Sequence, residues 1–193
     1  MKKLNFVLLL LVATLFSAQA QKAHDVVTTN DIFRAITHKY ITFKNETRDA
    51  KVAMRFYTQV FKAYGYRHEL PGDGYGGPCS IIDGFYKGGY INKKKANVFV
   101  PTKKNVASVI FISACNNGEE GDYGYPQVTL TVYDANLAKS VINDILLSGF
   151  EKFEYDNPEE VAGVDLFYNG DKQVRFDYNE EENCYNFYYS IAE

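Results

Sequence analysis

The pair Asn169-Gly170 stands between two runs in which apolar and polar residues alternate, and this combination narrows the fold more than any other feature of the chain. An Asn-Gly pair suits the two positive φ angles of a type I′ turn, whose twist matches that of the strands it joins. Beyond it Val174, Phe176 and Tyr178 recur at every second position, and Tyr185, Phe187, Tyr189 and Ile191 repeat that step. Strand side chains alternate between faces, so the C-terminal part is expected to be an antiparallel meander with one buried face and one wet face. Its strands are predicted over 150–155, 164–168, 173–178 and 185–191.

Elsewhere the apolar period changes to that of helices. Ile32, Phe33 and Ile36 predict a short helix over 31–38, with Asn30 placed to cap it. Ala53, Phe56, Tyr57, Val60, Phe61 and Tyr64 recur at three- and four-residue steps and predict a longer one over 47–64, closed by Gly65. A third helix is expected after Asp134, with Leu137, Val141, Ile145 and Leu146 inward and Gly149 at its end. Segments 40–43, 80–86, 97–100, 107–114 and 127–133 are short and rich in β-branched or aromatic residues, which predicts strands. The fold class is therefore α+β, an antiparallel meander sheet packed against helices.

The two halves repeat one order of elements. Segment 40–43 aligns with 128–131, and Ala50-Lys51 with Ala138-Lys139, at an offset of 88, whereas Gly65-Tyr66 aligns with Gly149-Phe150 at 84. The change of offset is about one helical turn. A tandem duplication, with repeats over 40–115 and 127–193, is one reading of these matches, set against the chance matches that any α+β chain offers. This layout resembles the tandem helix-and-meander arrangement of PepSY-type domains and of secreted β-lactamase-inhibitor-like proteins. The likeness is one of element order alone and carries over no functional residue.

Residues 1–20 have the form of a secretory signal peptide. Lys2 and Lys3 precede an apolar run too short to span a bilayer comfortably, and Ala18-Gln19-Ala20 supplies a small-x-small cleavage site. The expected mature chain, 21–193, is one α+β domain in a secreted or periplasmic compartment. No later apolar run reaches the roughly 20 residues of a membrane helix, so no span is expected in it. Losing Lys2 and Lys3 moves the net charge from −3 to −5, and an acidic surface opposes nucleic-acid binding. The chain holds three cysteines, Cys79, Cys115 and Cys184, of which at most one intramolecular pair can form. The shorter sequence separation favours a Cys79–Cys115 disulfide, set against a reading in which all three are small buried residues.

No coherent acid, base, nucleophile or metal set emerges. The glycine-rich segment 71–78 lacks the Gly-Lys-Ser/Thr ending of a phosphate loop and reads as a surface loop. His24, His38 and His68 are too widely spaced to gather a metal, and no cofactor motif is present. The acidic clusters at 119–122 and 180–182 lack the ligand alternation of a calcium loop and read as solvated turns. Asn45-Glu46-Thr47 fits a glycosylation sequon, though Thr47 also suits a helix cap.

The composition of 16 Tyr and 14 Phe without Trp gives the functional hint, set against the reading that tyrosine is here a good strand former with a wet hydroxyl. Exposed tyrosine offers contact area at little rotamer cost and favours protein or glycan partners. If the face of Phe187 is buried, Tyr188 points outward, and Tyr168 beside the Asn-Gly turn is the second candidate. The expectation is an exported, non-catalytic binding protein. The competing classes are a cysteine-dependent hydrolase, with Cys79 as nucleophile and His68 as its base, and a structural envelope component.

Overall fold

The computed structural model describes residues 25–38, 41–42, 48–69, 79–115, 123–124, 127–155 and 163–192. The segment read as a signal peptide, the glycine-rich segment 71–78, the sequon and the cluster at 119–122 lie outside the described residues.

An eight-stranded antiparallel sheet organises the molecule, in the order β2 (Arg67–Glu69), β3 (Cys79–Lys87), β6 (Ser108–Cys115), β8 (Gln127–Val132), β12 (Cys184–Ile191), β11 (Lys172–Asn179), β10 (Val164–Asn169) and β9 (Glu151–Lys152). Two small ladders stand apart from it. One joins β1 (Ile41–Thr42) to β7 (Tyr123–Gly124), and the other joins β4 (Gly89–Asn92) to β5 (Val98–Pro101).

Alternation decides which face is buried. Ile110, Ile112, Val128, Leu130, Val132, Val174, Phe187 and Tyr189 are register neighbours on one face and have no exposed surface. Helices α1 (Thr29–His38), α2 (Arg48–Ala63) and α3 (Ala135–Leu147) contribute the other half of this core through Ile32, Phe33, Ile36, Tyr57, Phe61, Val141 and Ile145. Rings lock the layers together: Phe33 lies 5.3 Å from Phe150 and 5.6 Å from Tyr189, and Phe61 lies 5.0 Å from Phe85. Each fully buried side chain of this size contributes about 1.5–3 kcal/mol, so the apolar face fixes the register.

Helix ends follow their local chemistry. Asp134 caps α3, its Oδ1 accepting from the N–H of Asn136 and of Leu137, each at 3.0 Å. Helix α1 starts two residues earlier than predicted, because Thr28 and not Asn30 is the cap: Thr28 Oγ1 accepts from Asp31 N–H at 3.3 Å. Asp144 of α3 accepts from Thr29 N–H at 2.6 Å, which ties the two helices and places a carboxylate at the positive end of α1. Helices α2 and α3 close in the same way. Gly65 (φ 82°) and Gly149 (φ 85°) donate to Lys62 and Leu146, and Tyr66 and Phe150 donate back to Phe61 and Ile145. These are two Schellman closures, each with a glycine in the left-handed region and a buried aromatic just beyond it.

Three expectations change in detail. The turn after β10 is Gly170-Asp171 and not Asn169-Gly170, since Asn169 pairs with Lys172. Of the two turn residues only Gly170 has a positive φ, 63°, as a type II′ turn with glycine first requires. Of segment 40–43, aligned by sequence with part of β8, the described residues Ile41–Thr42 lie in a separate ladder. The place beside β6 that it would need is filled by β8 itself. The strand predicted over 97–100 is β5 (Val98–Pro101), which lies outside the main sheet, paired with a strand that the sequence reading missed.

Candidate functional site

The helices cover one face of the sheet; on the opposite face Thr131 and Cys184 are buried, whereas Thr129, Tyr188, Arg175 and Tyr168 keep exposed surface, and this part of β8, β12, β11 and β10 is the open surface among the described residues. Tyr188 stands near its middle, opposite Arg175 of β11 and Thr129 of β8. The guanidinium carbon of Arg175 lies 4.3 Å from the centroid of the Tyr188 ring, a cation–π stack. One register step away, Asn186 opposes Asp177 and Thr131. Thr131 Oγ1 donates to Asn186 Oδ1 at 2.8 Å, which fixes the amide.

Val164, Asp177, Asn186 and Tyr188 line an open cleft of about 460 Å³ on this face. Its carboxylate is only half engaged. Asp177 Oδ2 lies 3.9 Å from Arg175 Nη2, while Oδ1 is buried without a hydrogen-bond partner. Burial pushes the Tyr188 phenol above its ordinary pKa, and the negative charge of Asp177 adds to this. The cleft thus presents a phenol and a carboxylate, with the Arg175 guanidinium stacked on the tyrosine ring beside it.

Tyr168, the second tyrosine singled out from sequence, lies on the same open face. It is opposite Gln173, on the strand next but one to that of Tyr188, which puts the two about 12 Å apart from strand spacing and rise. Its hydroxyl donates to Glu151 Oε2 at 3.3 Å and its ring lies 6.2 Å from that of the exposed Phe153. The two tyrosines share a surface without touching.

Cys184 also belongs to this side of the sheet but is fully buried and is a free thiol. Burial, reinforced by Glu182, pushes its pKa up to about 11. A thiol held in that state is a poor nucleophile.

Cys79 and Cys115 are register partners across β3 and β6. Directly opposed residues of an antiparallel pair have Cα atoms about 4.5–5.5 Å apart, inside the range a disulfide spans. His68 is exposed and packs on the Phe85 ring at 5.0 Å, opposite Phe85 in register. Cys79 is six residues along β3 from Phe85, about 20 Å of strand, so the fold does not bring the nucleophile and base of the hydrolase reading together. Glu180, Glu181 and Glu182 form an exposed turn between β11 and β12. Among the described residues no three His, Cys, Asp or Glu side chains gather as a metal site.

A second groove of about 460 Å³ runs between α1 and α2, past Phe56, Val60 and Tyr64. Its polar groups satisfy one another: Asp31 accepts from the Tyr64 hydroxyl and pairs with Arg34 at 2.8 Å. The sheet cleft, with its unpartnered oxygen, is the better candidate. Sequence reasoning found Tyr188 but missed Arg175, Asp177 and Asn186, because only the cross-strand register reveals them as its neighbours. No family model, curated protein or solved structure matches this chain.

Proposed function

We propose that this is an exported, non-catalytic binding protein that takes a protein or glycan partner on the open face of its sheet. The observation that carries the reading is the Tyr188 cleft, where an Arg175-stacked ring adjoins a buried Asp177 oxygen that lacks a partner. Buried acceptors in folded proteins are nearly always paired, so a donor from outside is the natural complement. A ring flanked by polar groups suits both a peptide edge and a sugar, whose C–H faces stack while its hydroxyls donate.

Opposed placement of Cys79 and Cys115 supports a disulfide there, and with it an oxidising compartment of the kind the N-terminal segment addresses. The twin closures at Gly65-Tyr66 and Gly149-Phe150, each followed by strands that step inward from a sheet edge, support reading the halves as a tandem repeat of helix and meander, in the manner of PepSY-type and β-lactamase-inhibitor-like layouts.

The test is recovery of a partner from the extracellular or envelope fraction of the producing cell. Wild type is compared with the double variant Arg175→Ala, Tyr188→Ala and with Leu147→Ala on the helical side. A partner retained by wild type and Leu147→Ala but lost by the double variant is the expected result; equal retention by all three would remove the cleft from the account.

A further inference from the structure

The chain is acidic overall, yet one segment inverts the sign. Positions 87–104 contain six of its 21 basic residues, all lysine, and no Asp or Glu. The segment is built around the β4–β5 hairpin, whose tip carries Lys93, Lys94 and Lys95 and whose base is followed by Lys103 and Lys104. Four residue pairs separate tip from base, about 13 Å at the rise of a strand. Lys94, Lys95, Lys103 and Lys104 are exposed and form no ion pair among the described residues.

The hairpin has a committed inner face and an uncommitted outer one. Phe99 packs against Tyr133 at 5.2 Å and Tyr86 at 6.2 Å, which seats its face on the main sheet. Thr102 and Lys103 donate backbone N–H groups to Gly88 O at 2.9 Å each, and Arg67 Nη2 donates to Gly89 O at 2.5 Å, so the base is held rigidly. Strand alternation then turns Tyr90 and Val98 the other way, and they are 48% and 53% exposed. A fixed hairpin therefore presents an aromatic and a branched aliphatic side chain between the exposed Lys94 and Lys95 at one end and Lys103 and Lys104 at the other.

We propose that this hairpin docks the protein peripherally on an anionic phospholipid surface, with the lysines on the headgroup phosphates and Tyr90 and Val98 in the interfacial layer. Lysines near such a surface attract it additively, and tyrosine favours the headgroup level. Charge complementarity to an anionic surface is local to this hairpin, since the chain as a whole is acidic. The two apolar side chains fit a lipid interface and contribute nothing to a purely ionic ligand. This inference is independent of the Tyr188 cleft.

The experiment is co-sedimentation of the mature chain with vesicles of phosphatidylcholine mixed with phosphatidylglycerol, against phosphatidylcholine alone, with heparin and duplex DNA as soluble polyanions. Binding to the mixed vesicles only, released by raised salt, is expected. The charge-reversal pair K94E and K95E should weaken it by about tenfold or more. The pair Y90S and V98S should weaken vesicle binding several-fold and leave any heparin or DNA binding unchanged. All four positions are exposed, and circular dichroism confirms that each variant is folded; the salt dependence of wild type tests the ionic part without a variant. Failure to bind mixed vesicles overturns the proposal, as does heparin or DNA binding as tight as vesicle binding with no loss in the Y90S, V98S pair.

Discussion

Cys184 should be nearly inert in the native protein, and the structure says by how much. Its thiol has no exposed surface, and its pKa stands at about 11 against an ordinary 9.0. At pH 8 the thiolate fraction falls from about one in ten to about one in a thousand, a hundredfold loss in the species that reacts. Burial multiplies this, because the reagent must await an opening of the strand. Alkylation by iodoacetamide at pH 8, followed by mass spectrometry of the peptide containing Cys184, should run at least about a hundredfold slower in native protein than in denaturant. The native rate should climb about tenfold per pH unit toward pH 11, provided the fold persists. If Cys79 and Cys115 form the disulfide their register allows, denatured but unreduced protein takes one label, and reduction raises the count to three. Native labelling of Cys184 at the rate of an unfolded thiol would refute the reasoning that burial and Glu182 hold it protonated.

Three further outcomes follow from the core. The Tyr66 hydroxyl shares a 2.8 Å hydrogen bond with the buried Ser108, whereas the Tyr57 hydroxyl is buried without a partner; Tyr66→Phe should cost about 1–3 kcal/mol and Tyr57→Phe should be neutral or stabilising, by urea denaturation. Asp134→Ala removes the only side-chain cap of α3 and should cost about 1 kcal/mol in the same assay, with a smaller loss for Asp134→Gly. Burial raises the phenols of Tyr57, Tyr66 and Tyr189 above the ordinary 10.0, so above pH 10 the unfolded chain releases those protons first; stability is full below pH 10 and the urea midpoint should fall as pH rises beyond it, with Cys184 adding a loss between pH 9 and 11.

Local rules exposed much of this fold. The stripes of α2 and α3, the cap at Asp134 and the closing glycines Gly65 and Gly149 were legible because each depends on residues three to five positions away. So was the buried face of β11 and β12, since alternation alone separates Val174 and Phe187 from Arg175 and Tyr188. Sheet order was not legible: β6 and β12 meet only through β8, a pairing set by long-range burial. The β4 strand was hidden because Gly88-Gly89 and a lysine run read as loop. Yet a Cβ at Gly89 would stand 2.4 Å from Val100 O, so glycine is there to let the hairpin close. In the candidate site Tyr188 was legible and its partners were not, since the turn at 180–182 does not by itself set which residues of β11 stand opposite Tyr188.

The claim that most needs testing is that partners arrive on the open sheet face. A photo-activatable amino acid placed at Tyr188, and in a second version at Leu147, which is 89% exposed on the helical side, can be activated in the producing cell culture. A cross-linked partner at 188 and none at 147 is predicted; capture at 147 with none at 188 would contradict the account.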